Sequence, residues 1–345
     1  MPSIVGGLDI HRKQITFDYV DLDTGAVQCG QIAPADREHF RSWLAGRFEH
    51  PENVAFAVEA CTGWRYVAGE LAAAGITAHL AETADTATQR GRKRRAKTDR
   101  ADARLMRDLL AAGRLPECWI PPPQVLECRA LLEAYHDLRR EHTAWIQRVH
   151  AALFHQGAPV FHDLSRAGAP AELAALARAR LSPAGQQQVM LCLRMLEATG
   201  GELDGLRRQL LAAARHLHGA KVLADSIYGV GPVTALALTC WLGGAGRFTS
   251  ARKAVRFAGL DITACSSDGK RSPGHLSRQG PPVLRWAVYE AGKTHARPAA
   301  PDHGYYAAVK DRKDGKRAAL PEARKIIRRA CRILAQLGDD ALATV

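Results

Sequence analysis

Residues 4–10 read Ile-Val-Gly-Gly-Leu-Asp-Ile, and residues 53–59 read Asn-Val-Ala-Phe-Ala-Val-Glu. Each is a short apolar run of strand length, and each carries a carboxylate at or near its end, Asp9 in the first and Glu59 in the second. Residues 14–21 and 26–32 predict two more strands, close enough to the first to form an antiparallel meander. Between the two quoted runs, residues 37–47 have helical spacing, with Phe40, Leu44 and Phe48 on one side. After the second run, residues 63–74 predict a helix and 76–80 another strand.

The resulting order, β-β-β-α-β-α-β, is the ribonuclease-H-like α/β arrangement, in which acids at the ends of adjacent central strands converge. Further along, Thr98 can cap a helix whose first turn carries Asp99 and Asp102. Their spacing of three places both carboxylates on one side. Asp9, Glu59, Asp99 and Asp102 are therefore candidate ligands for Mg²⁺ (or Mn²⁺), hard cations that need several carboxylate oxygens. Two such ions about 4 Å apart can bridge a scissile phosphate. Any one of these acids alone is ordinary; their combination in LDI, VEA and TDRAD carries the inference. His11 and Arg12, which follow Asp9 closely, read as turn residues.

Beside the last two acids lies the densest basic run of the chain, RGRKRRAKTDRADAR at 90–104. Arg90, Arg92, Lys93, Arg94, Arg95, Lys97 and Arg100 are candidate nucleic-acid contacts, and a second cluster comprises Lys310, Arg312, Lys313, Lys316 and Arg317. The formal charge of +13 over 345 residues and a pI near 9.6 favour a polyanionic partner. The eight cysteines are scattered without a CxxC pair, which indicates free thiols rather than a zinc ribbon or a disulfide framework. With no basic-then-apolar leader and no uncharged stretch of membrane-spanning length, the expected location is the cytoplasm, at a bacterial nucleoid.

Prolines at 116 and 121–123 mark the end of a first domain at about residue 122. Residues 123–220 predict two long amphipathic helices separated by a Gly/Pro/Ala-rich break at 157–183, a hairpin or an intersubunit coiled coil. The third part, 221–345, is mainly helical. Gly229 and Gly231 form a Gly-x-Gly turn between short helices, the helix-hairpin-helix device that exposes backbone N–H groups to a phosphate. A polar loop at 261–280 follows, containing Ser266, Ser267 and Ser277. Lys270, Arg271, Arg278 and Arg285 can neutralise a phosphate there; the alternative is a solvated Ser/Gly loop.

Taken in order, GLDIHRK (7–13), VEACTGW (58–64), KTDRADA (97–103), YGVGPVTALAL (228–238), RFTSARKAVRFAGL (247–260), SSDGKR (266–271), GHLSRQG (274–280) and LRWAVYEA (284–291) resemble the insertion-sequence 110 family of transposases. That family includes relatives of site-specific DNA invertases. The resemblance implies a RuvC-like domain with a DEDD metal site on Asp9, Glu59, Asp99 and Asp102, a coiled-coil linker and a C-terminal transposase domain. It places the family's nucleophilic serine on Ser267, with Asp268 where the usual pattern has glycine and with Ser266 and Ser277 as alternatives. It further implies donor and target DNA, a noncoding guide RNA and a homo-oligomer, dimer or tetramer. The other functions open to this sequence are a Holliday-junction-type endonuclease and a non-catalytic nucleic-acid-binding protein.

Overall fold

The computed structural model describes residues 2–89, 98–164, 166–244, 246–263, 266–267, 270–271 and 274–345, with the backbone alone at 266, 267, 270 and 271. The chain divides into two compact units, Met1–Ile120 and Pro121–Val345.

The first unit is a mixed α/β structure. Strands β1 (Ile4–Ile10), β2 (Ile15–Asp21) and β3 (Val27–Ile32) lead to helix α1 (Arg37–Leu44). Then come β4 (Val54–Glu59), α2 (Trp64–Ala73), β5 (Thr77–Ala81), α3 (Thr83–Thr88), α4 (Asp99–Ala111) and β6 (Glu117–Cys118). The sheet order is β3-β2-β1-β4-β5-β6. β1 pairs antiparallel with β2 and parallel with β4, so the two acid-bearing strands are central neighbours. The expected order is present, with α3 and the two-residue edge strand β6 added to it.

Each face of the sheet has a different covering. On one, Leu8, Phe17, Phe56 and Val58 pack with Phe40 and Leu44 of α1 and Val67 and Leu71 of α2. On the other, Met106 of α4 packs on Ala57 and Ala81. Here α4 rests on the backbone of β1 itself. A Cβ on Gly7 would stand 2.0 Å from the Ala103 carbonyl oxygen and 2.9 Å from the Arg107 nitrogen. Only glycine permits that approach.

A buried ion pair holds α4 in place. Asp18 lies opposite Gly7 in the β1–β2 register. Its side chain is 0% exposed and is paired with Arg107, itself 12% exposed, while Arg104 Nε stands 3.6 Å from the second oxygen. Asp18→Asn removes the buried counter-charge of Arg107 and leaves it only the exposed Asp108 carboxylate, 2.6 Å from Nη2; removing one partner of a buried pair costs about 3–5 kcal/mol. Urea unfolding should show a loss of that size; a loss below about 1 kcal/mol would mean that the arginine finds solvent.

The second unit is helical. α5 (Pro123–His155), α6 (Ala169–Arg180) and α7 (Pro183–His216) are followed by α8 (His218–Ser226), α9 (Pro232–Leu242) and α10 (Ala251–Phe257). A short hairpin of β7 (Ser266–Ser267) and β8 (Lys270–Arg271) precedes α11 (Pro282–Lys293), α12 (His303–Arg312) and α13 (Gly315–Leu337). α5 and α7 run antiparallel: His142 Nδ1 lies 2.8 Å from Thr199 Oγ1, and Gln156 Oε1 accepts from the Ser182 N–H at 2.7 Å. α6 fills the stretch expected as a break, packing Leu173 and Ala177 against Val149, Leu153 and Val189. α9 is buried on every side from Ala235 to Leu242, which explains why it is apolar all round. Among the described residues no helix is long and apolar enough to cross a membrane.

Candidate metal centre and serine loop

The centre begins with the register of β1 and β4. Leu8 pairs with Val58, so Asp9 and Glu59 occupy the next, neighbouring positions on two parallel strands. Asp9 is only 2% exposed. Burial pushes its carboxyl up from 3.8 to about 6; His11 opposes the rise, and the charges of Glu59 and Asp99 add to it.

Helix α4 supplies the other acids. Thr98 caps it, its hydroxyl accepting from the Ala101 N–H at 3.2 Å, and Asp99 and Asp102 lie in the first turn, where the helix end favours negative charge. The close seat of α4 at Gly7 carries that turn toward the end of β1. Asp99 and Asp9 then meet across one imidazole. His11 Nε2 lies 3.1 Å from Asp9 Oδ2 and 3.3 Å from Asp99 Oδ1, and Gln14 Nε2 donates to Asp99 Oδ2 at 3.2 Å. The ligand atoms of Asp9, His11 and Asp99 all fall within 4.8 Å of one another.

A buried carboxylate, raised in pKa first by burial and then by its acidic neighbours, together with the Glu59 and Asp99 carboxylates beside it, offers the oxygens that a hard divalent cation takes. His11 holds the place between the carboxylates. Nearby, burial, then Glu59 and Asp9, push the Cys61 thiol up to about 11.

Of the candidate nucleic-acid contacts, Arg90, Arg92, Lys93, Arg94, Arg95 and Lys97 lie outside the described residues. Arg100 is exposed, with Nη2 2.6 Å from Cys29 Sγ. Gly229 and Gly231 occupy the turn between α8 and α9. Gly229 has φ +79°, and a Cβ there would meet Thr294 Oγ1 at 2.1 Å, whereas a Cβ on Gly231 would meet nothing within 4 Å.

The serine loop has a built neck. Ile262 bridges Leu276, the Thr263 N–H donates to the His275 carbonyl at 2.9 Å, and the Ser277 N–H donates to the Asp261 carbonyl at 3.0 Å. The Ser277 hydroxyl is bonded to the Asp261 carboxylate, so Ser277 helps to close the neck. Arg278 adopts φ +54°, and its N–H donates to the Gly259 carbonyl at 3.2 Å. Arg285 turns its guanidinium to the carbonyls of Ala258 and Gln279 at 3.3 and 3.4 Å, bracing the neck. Beyond it, the backbones of Ser266–Ser267 and Lys270–Arg271 pair as a hairpin.

The sequence did not distinguish His11 from an ordinary turn residue, and Asp18 and Arg107 carried no signal of their own. Only the fold brings His11 between Asp9 and Asp99, and Arg107 onto Asp18.

Comparison with known proteins bears on both units. Residues 6–155 match a transposase profile of the DEDD, IS110 type, and residues 222–307 match the transposase IS116/IS110/IS902 family. A Sinorhizobium fredii protein that carries a transposase assignment, y4rJ, is 28% identical over 287 residues, which is 77% of this chain and 72% of the relative. Its span therefore crosses both matched regions. The first match runs through the first unit and on through α5, the second lies within the second unit, both follow the order of the motifs, and the chain belongs to the IS110 family of transposases.

Proposed function

We propose that this transposase cuts and rejoins DNA strands for an insertion sequence, with Asp9, Glu59, Asp99 and Asp102 holding Mg²⁺ or Mn²⁺ and a serine of the 266–277 loop as nucleophile. The observation that carries the reading is the buried Asp9 carboxylate, adjacent to Glu59 in register and joined to Asp99 through His11. When bound by these carboxylates, divalent ions would polarise the scissile phosphate and offset the charge on the attacking and leaving oxygens. Asp9 and Glu59, fixed on strands, set the position of the centre. Asp99 and Asp102 move only as α4 moves.

Ser267 Oγ forms the new bond to phosphorus as the bond to the 3′ oxygen breaks, leaving a 5′-phosphoserine link and a free 3′-OH. Attack by another strand's 3′-OH reverses the step, so the phosphodiester energy is conserved and rejoining needs no external source. Lys270 and Arg271 share the hairpin with Ser267 and can neutralise the phosphate. The resemblance supports a noncoding guide RNA that pairs with donor and target DNA, and a dimer or tetramer as the working assembly.

Ser267→Ala should abolish a denaturation-resistant protein–DNA adduct and lower strand exchange about a thousandfold or more. Ser277→Ala, which loses the bond to Asp261, should loosen the loop yet still form the adduct. Full cleavage by Ser267→Ala with hydrolysed ends would replace this reading with a metal-dependent junction endonuclease. Loss of the adduct in Ser266→Ala alone would move the nucleophile by one residue. RNase treatment of nucleic acid copurified with the protein tests the guide.

A further inference from the structure

His295 lies on the single turn Thr294–Ala296 that follows α11 and is 3% exposed, yet neither ring nitrogen has a hydrogen-bond partner. Opposite Nδ1, at 3.6 Å, stands Oε2 of Glu322 on α13, 0% exposed and equally unpartnered. Burying such groups without hydrogen bonds is costly, and at 3.6 Å the two are too far apart to hydrogen-bond each other. Asp302, at the start of α12, completes a set whose ligand atoms lie within 4.8 Å of one another. We propose that His295, Asp302 and Glu322 form a second divalent-metal site, one for a transition ion such as Zn²⁺, which ties the ends of α11 and α12 to α13.

The donor set decides the class of ion. Mg²⁺ takes oxygen ligands, whereas an imidazole nitrogen beside two carboxylates suits zinc, with water completing four-coordination. Lys325 accounts for only part of the charge. Its Nζ lies 3.0 Å from Glu322 Oε1 and 3.4 Å from Asp302 Oδ1, which leaves Glu322 Oε2 and both imidazole nitrogens without a hydrogen bond. Lys325 is 36% exposed, and its Nζ also stands 4.4 Å from the centre of the Tyr305 ring. The site also supports the glycine turn between α8 and α9, because the Tyr228 ring stands 5.4 Å from the His295 ring and Gly229 abuts Thr294.

Full-length protein carrying Asp9→Asn and His11→Ala, to silence the first centre, is stripped with a chelator and titrated calorimetrically with Zn²⁺. We expect one equivalent per chain. Asp302→Asn, at a partly exposed position that leaves the fold intact by circular dichroism, should weaken binding at least about tenfold. Lys325→Gln, which removes the competing cation, should tighten it by a similar factor. Absence of a zinc equivalent, unchanged affinity in Asp302→Asn, or weaker binding in Lys325→Gln would each overturn the site. None of these readouts depends on DNA cleavage.

Discussion

The Asp9→Asn variant should lose DNA cleavage about a thousandfold or more, equivalent to roughly 4 kcal/mol of transition-state stabilisation, and at the same time become more stable without metal. Both effects come from one buried carboxylate. Its pKa is 3.8 in the ordinary state and about 6 in the fold, raised first by burial. Between these values the folded chain holds a proton that the unfolded chain has released. Stability therefore falls as pH rises from about 4 through about 6, and above that the full penalty of about 3 kcal/mol remains. Asparagine has nearly the same shape and no charge, so it removes the penalty at neutral pH.

Thermal unfolding in a chelating buffer should give Asp9→Asn the higher Tm at pH 7.5 and a flatter profile between pH 4 and 6. Adding Mg²⁺ should raise the wild-type Tm and leave the variant's in place. An Asp9→Asn protein that still cuts DNA would remove the acidic centre from the mechanism. One that is inactive and also less stable would point to a structural aspartate instead.

Gly7→Val should damage the protein by a different route. The obstacle to a Cβ is a backbone carbonyl oxygen of α4 at 2.0 Å, and a helix backbone cannot rotate away as a side chain can. α4 must retreat, uncovering Met106 and withdrawing Asp99 from Asp9. Overpacking of this kind costs about 3 kcal/mol or more, so both the urea midpoint and cleavage should fall. Gly69→Ala is the control: the residue is exposed in α2 with nothing within 4 Å of its Cβ, and alanine there should stabilise by about 0.5–1 kcal/mol. Retention of full stability by Gly7→Val would show that α4 does not rest on β1 as described.

Legibility followed the size of the signal. β1 and β4 were readable because strands with helices on both faces are continuous apolar runs, and an acid ending such a run stands out. β6 spans only two residues, too few for any alternation. α6 is rich in alanine, which gives little contrast between buried and exposed faces. Arg285 reads as a candidate phosphate contact beside the serine loop; that its Nη1 reaches the backbone carbonyls of Ala258 and Gln279 is a contact no local pattern shows.

The chain's own order of residues determined which carboxylates are available, the strands that carry two of them and the capped helix that carries the others, since these follow from local hydrophobic pattern and capping. Tertiary structure alone decided how they meet. Gly7 became a seat for α4, Asp18 and Arg107 became its anchor, and His11 became a bridge between Asp9 and Asp99. The same holds for His295 and Glu322, on separate elements of the second unit, whose unpartnered atoms face one another at 3.6 Å only once α11 and α13 have packed. Such contacts depend on approach distances between elements far apart in the chain, and no local pattern encodes a distance of that kind.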